Sequence, residues 1–143
     1  MHNFNTQPEL SNAQMQFYYL DSPHQQITKG FMGEVTKVTD GDTIHVATDF
    51  RDFDTVVRFA NINAPEMSEG GKESKIWLEE KIMGEEVYVK VNPNNRVGKW
   101  GRIIGEIFND GMNINNLSLQ EGQSRLFTDV PYNLDKILAR VIK

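Results

Sequence analysis

Several acidic and basic side chains follow one another in an order that suits phosphate chemistry. Residues 40–43 (DGDT) are followed by Arg58 and Glu66, and later by Arg102. A phosphodiester under attack by water develops negative charge, which guanidinium groups bind through paired hydrogen bonds. Carboxylates can orient or deprotonate the water and, with other oxygen ligands, hold a hard divalent cation. The side-chain types are therefore those of a site for hydrolysis at phosphorus.

Each of these groups alone has an ordinary structural explanation. The DGD run suits a hairpin turn, because Asp and Gly both favour turn geometry. Arg58 is explained equally well as an outward strand residue, Glu66 as a solvated loop acid and Arg102 as a charge that serves solubility. The occurrence of all four features in one order is what favours a site.

Short strands must position these groups. Alternating β-branched and polar residues around the Asp-Gly turn predict a strand, a tight turn and a strand over residues 34–46. In the next strand, over residues 55–61, Arg58 lies on the face opposite Val57 and Phe59. The other predicted elements are a connection at 49–54, a helix at 74–83, strands at 87–91 and 102–108, a loop at 92–99, a turn at 109–111 and a short helix at 114–119.

Five strands with a helix between the third and fourth predict a mainly β (α+β) domain, a five-stranded OB-fold barrel with one or two short helices. We place this domain at residues 31–127. Residues 1–30 form a polar extension, mobile unless something binds it, in which residues 15–20 are either a strand or a docking segment. Residues 128–143 are predicted to be a tail or short helix.

The ordered motifs resemble the staphylococcal nuclease (thermonuclease) family. That family has DGDT, then R-x4-D-x-P-E, then a YGR-like tripeptide. Here the second motif runs from Arg58 to Glu66 as RFANINAPE, and Trp100 precedes Gly101 and Arg102 in the third. The similarity covers roughly residues 31–127 and implies an SNase-like OB-fold.

The resemblance also implies residue roles. Arg58 and Arg102 match the two phosphate-binding arginines, and Glu66 matches the proposed general base. Asp42 matches one ligand of a calcium ion (Ca²⁺), and the backbone carbonyl of Ala64 matches another.

Three further residues are assigned to substrate binding, namely Thr43, Lys99 and Trp100. Trp100 replaces the aromatic residue before Gly-Arg, where it either stacks on a base or sugar or packs in the core or at the rim of the barrel.

Asn63 departs from the family pattern, because it stands where a second metal-binding aspartate is expected. An amide oxygen can still coordinate calcium but brings no charge, so we expect weaker metal binding. A second departure follows Gly122, after which 21 residues remain and the family's long closing helix is missing or shortened.

Composition limits the function classes. The chain has no cysteine, so disulfides, thiolate zinc sites and a thiol nucleophile are excluded, and its three histidines argue against a His-rich metal site. The net charge of −5 does not suggest a general nucleic-acid binder. One local basic stretch runs against this trend and contains Lys90, Arg96, Lys99 and Arg102.

Three functions are therefore considered. The first is a calcium-dependent nuclease (phosphodiester hydrolase) acting on DNA, RNA or both. The second is an SNase-like interaction subunit of a larger assembly, such as a phage particle, with a protein partner bound through residues 1–30. The third is a single-stranded nucleic-acid binder that uses the basic stretch. The sequence lacks a signal peptide or membrane-spanning segment, so we expect no membrane partner and a place in the cytoplasm or in an assembled particle.

Overall fold

The computed structural model describes residues 2–126, which form eight strands and three α-helices. The strands are β1 (Phe31–Asp40), β2 (Thr43–Ala47), β3 (Thr55–Phe59), β4 (Ile62–Asn63), β5 (Glu86–Lys90), β6 (Ile103–Asn109), β7 (Met112–Asn113) and β8 (Arg125–Leu126). The helices are α1 (Asn12–Tyr18), α2 (Gly71–Ile82) and α3 (Ile114–Gln120). Short 3₁₀ helices occupy Tyr19–Asp21, Met67–Glu69 and Lys99–Gly101.

Five strands close into a barrel. They are ordered β3-β2-β1-β5-β6 with antiparallel neighbours, and a parallel pairing of β3 with β6 closes the sheet. The predicted mainly β, five-stranded barrel with short helices is therefore confirmed. Because closure leaves β2 beside β3 and β3 beside β6, groups from the first hairpin and from the start of β6 can meet.

The barrel interior is filled by one face of each strand. In β3 burial alternates, so that Val57 and Phe59 are buried and Arg58 lies on the other face, as the period-2 pattern predicts. Leu78 and Ile82 of α2 are completely buried among these strand residues. This packing fixes α2 against the barrel next to the first hairpin.

The turn between β1 and β2 is held tightly against α2. A Cβ atom built on Gly41 would lie 2.0 Å from Ser74 Oγ and 2.9 Å from Ala64 Cβ. Only glycine therefore allows this approach. Ser74 is itself buried and donates a 2.7 Å hydrogen bond to the carbonyl of Gln123. The turn, α2 and the segment after α3 are thereby joined at one point.

The N-terminal segment contains a helix where a strand was one of the two interpretations. Ser11 caps α1 and, with Gln14, forms a capping box, while the helix itself buries no residue. The strand interpretation of residues 15–20 is wrong, because local capping rather than an apolar period determines this element. Leu10 and Ile27 are nonetheless buried.

The predicted tail at residues 128–143 lies outside the described residues. In the described part of the chain, 2–126, no helix has the length and apolar character needed to span a membrane.

Candidate functional site

Asp42 lies in the turn between β1 and β2 and is almost fully buried. Its Oδ2 accepts a 2.8 Å hydrogen bond from the backbone N–H of Ala64, and its Oδ1 accepts a 3.0 Å bond from the hydroxyl of Thr43. Thr43, predicted to contact substrate, is thus buried against Asp42 in this structure. The first hairpin and the segment after β4 meet at this carboxylate.

Arg58 donates to three oxygen atoms around the same point and forms an ion pair with a fourth. Its Nη1 donates to the carbonyls of Phe59 and Ile62 at 2.7 and 2.8 Å. Its Nη2 donates to Oδ1 of Asn63 and lies 3.4 Å from Asp42 Oδ2. The structure therefore brings Arg58, Asp42 and Asn63 together.

The two predicted phosphate-binding arginines influence each other electrostatically. Burial lowers the pKa of Arg58 below its ordinary value; the neighbouring carboxylate of Asp42 opposes this shift and the positive charge of Arg102 adds to it. Two cations within electrostatic reach destabilise each other unless an anion lies between or beside them. Here the carboxylates of Asp42 and Asp40 supply part of that compensation, and the coupling shows that Arg102 lies within electrostatic reach of Arg58.

Asp40 is an acidic group of the site to which the sequence motifs assign no role. It shares with Asp42, Glu66 and Asn63 a cavity of about 340 Å³. Burial, followed by the hydrogen bond and negative charge of Asp42, raises the pKa of Asp40 to about 6. The signal in the sequence was its place two residues before Asp42, since residues flanking a tight turn lie close together.

Glu66 lies on the segment that leads from β4 to α2, and its side chain is exposed at the cavity. Its backbone carbonyl accepts hydrogen bonds from Glu69 and Gly71 at 2.8 and 2.9 Å. The 3₁₀ turn at Met67–Glu69 and the start of α2 thus fix the backbone while the carboxylate remains open to water.

The oxygen atoms at this cavity are of the kind that calcium prefers. Asp42 brings a carboxylate, Asn63 an amide oxygen and Ala64 a backbone carbonyl, all hard ligands. Across residues 2–126, no three His, Cys, Asp or Glu side chains are grouped closely enough to hold a metal. These oxygen atoms are of the type that binds calcium. Among the three ligands, however, only Asp42 would bring negative charge to a bound cation, because the other two oxygens are neutral.

The loop that carries Arg102 has an unusual backbone. Trp100 and the following Gly101 have positive φ angles of 70° and 71°. The indole of Trp100 is 70% exposed, and Lys99 Nζ lies 5.4 Å from the centre of its ring. Arg102 Nε donates a 3.3 Å bond to the carbonyl of Lys99. Lys99 and Trp100, both predicted to contact substrate, are thus available to a ligand beside Arg102.

Arg96 does not belong to the basic surface that the sequence suggested. It is only 3% exposed and donates to backbone carbonyls of the N-terminal segment, at Leu10 and Ile27. Its burial by residues far away in sequence could not be inferred from local pattern. The exposed cations of that stretch are Lys90 and Lys99, with Arg102 half-buried.

Arg125 is a second residue that the sequence analysis did not assign. It is the register partner of Asn63 in the β4–β8 pairing and lines the cavity with Asp40 and Glu66. No local signal marks it, because the pairing joins segments about sixty residues apart.

Comparison with protein families gave one match. Residues 56–140 match the family model described as "Staphylococcal nuclease homologue". The match covers 85 of 143 residues and includes Arg58, Asn63, Glu66 and Arg102, but begins after the DGDT turn. A search of curated proteins returned no match.

Proposed function

The chain belongs to the staphylococcal nuclease family, and from this premise we propose that it is a calcium-dependent phosphodiesterase that hydrolyses DNA, RNA or both. The observation that supports the proposal is that Arg58, which is electrostatically coupled to Arg102, contacts Asp42 and Asn63, and these two residues line one cavity with the exposed carboxylate of Glu66. A pair of cations beside a carboxylate suits a ligand that is both anionic and attacked by water.

In the proposed mechanism the arginines bind and stabilise the phosphate. Arg102 makes one weak internal hydrogen bond and is ready to donate to a phosphate oxygen. Arg58 already donates to two carbonyls, which hold its guanidinium in place, and it would exchange its side-chain acceptors Asp42 and Asn63 for phosphate oxygens. Charge that develops on the phosphate then strengthens both contacts.

Glu66 would orient a water molecule and accept its proton at a carboxylate oxygen. Its exposure at the cavity and the fixed backbone around it favour this role. Asp42, Asn63 and the Ala64 carbonyl would hold calcium, which when bound neutralises phosphate charge and polarises the phosphate.

A cleavage assay tests this function. Plasmid, single-stranded DNA and RNA are incubated with the full chain in millimolar calcium, with and without chelator, beside the variants Arg102→Ala and Lys90→Ala. We expect calcium-dependent cleavage that Arg102→Ala lowers about 100-fold or more and Lys90→Ala largely retains. If all three substrates survive at high protein concentration in calcium, the proposal is wrong.

A second candidate is an interaction subunit of a larger assembly. We propose this role because α1 and the turn after it expose apolar side chains, with Phe17 77%, Tyr19 54% and Leu20 93% exposed. Exposed neighbouring apolar groups are typical of contact surfaces. Hydrogen exchange on the isolated chain tests the idea: amides at residues 17–21 should exchange far faster than those of β1. Equal protection would argue against a partner surface here.

A further inference from the structure

Residues 7–12, here called the N-terminal strap, cross the barrel surface between two buried arginines. At one end Glu9 receives hydrogen bonds of 2.6 and 3.3 Å from Arg51, whose side chain is completely buried. Between the ends, Leu10 is 0% exposed. The strap is therefore anchored in the fold by a buried ion pair and an apolar side chain.

A glutamine completes this anchoring. Gln26 accepts a 2.8 Å bond from the N–H of Leu10 and donates a 2.9 Å bond to the carbonyl of Pro8. Its side chain thereby pairs with the strap backbone as a neighbouring strand would. The path of the strap is fixed on both sides of Leu10.

At its other end the strap holds the loop that leads to Arg102. Arg96 Nη1 donates to the carbonyl of Leu10 at 3.0 Å and to Asn12 Oδ1 at 2.8 Å. Asn12 Nδ2 in turn donates a 3.0 Å bond to the carbonyl of Pro93. The loop is thus bound to the strap at two positions, Pro93 and Arg96, before it reaches the site.

The strap also passes close to the residue next to Arg102. A Cβ atom built on Gly101 would lie 3.4 Å from both Cβ and Cγ of Gln7. Trp100 beside it has a φ of 70°, a left-handed conformation that costs a non-glycine residue about 1–2 kcal/mol. Such a conformation persists only where surrounding contacts impose it. Gln7 lies beside Gly101, and the same loop is bonded to the strap earlier, at Pro93 and Arg96.

We propose that the N-terminal strap positions the loop at residues 93–102, with Arg96 as its main positioning residue, so that Arg102 is held where it binds the anionic ligand. The inference rests on the proposed function for the identity of that ligand, a nucleic-acid phosphate. The role of the strap in ordering the loop is independent of cleavage.

The experiment uses two exposed strap residues, so that the buried anchors stay intact. In the full chain, Gln7→Ala/Asn12→Ala removes the Gln7 side chain beyond Cβ next to Gly101 and the Asn12 bonds to Arg96 and Pro93, while Arg96 keeps its bond to the Leu10 carbonyl. Gln16→Ala is the control, an exposed amide on α1. Amide hydrogen exchange is followed at Gly98, Gly101 and Ile104, whose N–H groups bond within the loop. We expect exchange at least about tenfold faster in the double variant and unchanged in Gln16→Ala.

Binding then tests the link to Arg102. The affinity for a 5′-phosphorylated single-stranded DNA oligonucleotide is measured in chelator. The parent and the strap variant are each compared with Arg102 intact and with the added substitution Arg102→Ala. We expect the strap variant to weaken binding about three- to tenfold when Arg102 is present and to have no further effect when Arg102 is alanine.

Loop amides that keep their protection in the strap variant would overturn the proposal. So would an equal loss of affinity with and without Arg102, which would mean that the strap acts on the fold as a whole. If no oligonucleotide binds to any variant, the proposed link between Arg102 and a nucleic-acid phosphate is wrong, while the exchange result still decides whether the strap orders the loop. The cleavage assay in calcium decides the proposed function separately.

Discussion

At the scale of single residues, the two site arginines are held very differently. Arg58 donates to three oxygen atoms of the chain and pairs with Asp42, whereas Arg102 makes a single 3.3 Å bond to a backbone carbonyl. An arginine whose donors are taken by the protein supports the structure, and one with donors to spare is ready for a ligand. Arg58 should therefore contribute more to the stability of the fold than Arg102 does.

Alanine substitution tests this separation. We expect Arg58→Ala to lower the free energy of unfolding by about 3 kcal/mol, because it removes the positive charge beside the buried carboxylate of Asp42 and the side-chain donor to two backbone carbonyls. Arg102→Ala should change it by less than about 0.5–1 kcal/mol. Urea unfolding monitored by tryptophan fluorescence measures both variants. Equal losses would show that Arg102 is also part of the structural network.

Asn63 sets the charge of the candidate metal site. Asn63→Asp adds a second carboxylate beside Asp42, and we expect it to tighten calcium binding about tenfold or more, measured by titration calorimetry. Asn94→Asp adds the same charge on the loop after β5 and should leave affinity unchanged. If Asn63→Asp also has no effect, Arg58 neutralises the new carboxylate and the pocket is not a metal site.

Asp40 should make stability depend on pH. Its pKa is raised from 3.8 to about 6, so the folded chain holds this proton more tightly than the unfolded chain. The stability that the proton contributes is complete below about pH 4 and is lost as pH rises through about 6. We expect Asp40→Asn to stabilise the chain at about pH 7.5, by on the order of 1 kcal/mol because solvent screens this partly exposed group, and to have little effect near pH 4.

Urea unfolding in chelator across this pH range measures the effect, since bound metal would otherwise compete with the proton. An Asp40→Asn variant with the same pH profile as the parent would contradict the prediction.

At the scale of elements, local patterns predicted what local interactions determine. The hairpin at residues 34–46 and the face occupied by Arg58 follow from turn chemistry and period-2 alternation, and both agree with the structure. The helix α1 was not predicted, because its face buries nothing and its capping box was the only signal. The burial of Arg96 and the cavity position of Arg125 depend on contacts between distant segments, which local patterns do not encode.

The turn at Gly41 shows how one element fixes another. Gly41→Ala would place its Cβ 2.0 Å from Ser74 Oγ and force α2 away from the Asp42 turn. We expect a loss of about 2–3 kcal/mol, compared with about 1 kcal/mol for Gly84→Ala, where only a φ of 76° opposes the added carbon. Thermal or urea unfolding gives both values. A smaller loss at Gly41 than at Gly84 would mean that the turn and helix move apart easily.

At the scale of the whole molecule, residues 2–30 are joined to the barrel by buried polar contacts. Arg51 binds Glu9, the carbonyl of Gln25 and the hydroxyl of Thr55, and its guanidinium lies 4.7 Å from the ring centre of Phe53. A charged pair removed from water is stable only when both members are present. The N-terminal segment and the barrel should therefore unfold together.

A double-mutant cycle on Glu9 and Arg51 tests this coupling. Either Glu9→Leu or Arg51→Met alone leaves one charge buried without its partner, and we expect each to lower the free energy of unfolding by about 3–5 kcal/mol. The double variant replaces the pair with apolar groups and should recover most of that loss, because neither charge then needs to be desolvated.

Urea unfolding followed both by fluorescence and by hydrogen exchange at residues 9–12 should give one transition in the parent chain. Additive losses in the cycle, or early exchange of the strap in the parent, would mean that the N-terminal segment is bound to the barrel without being part of its cooperative unit.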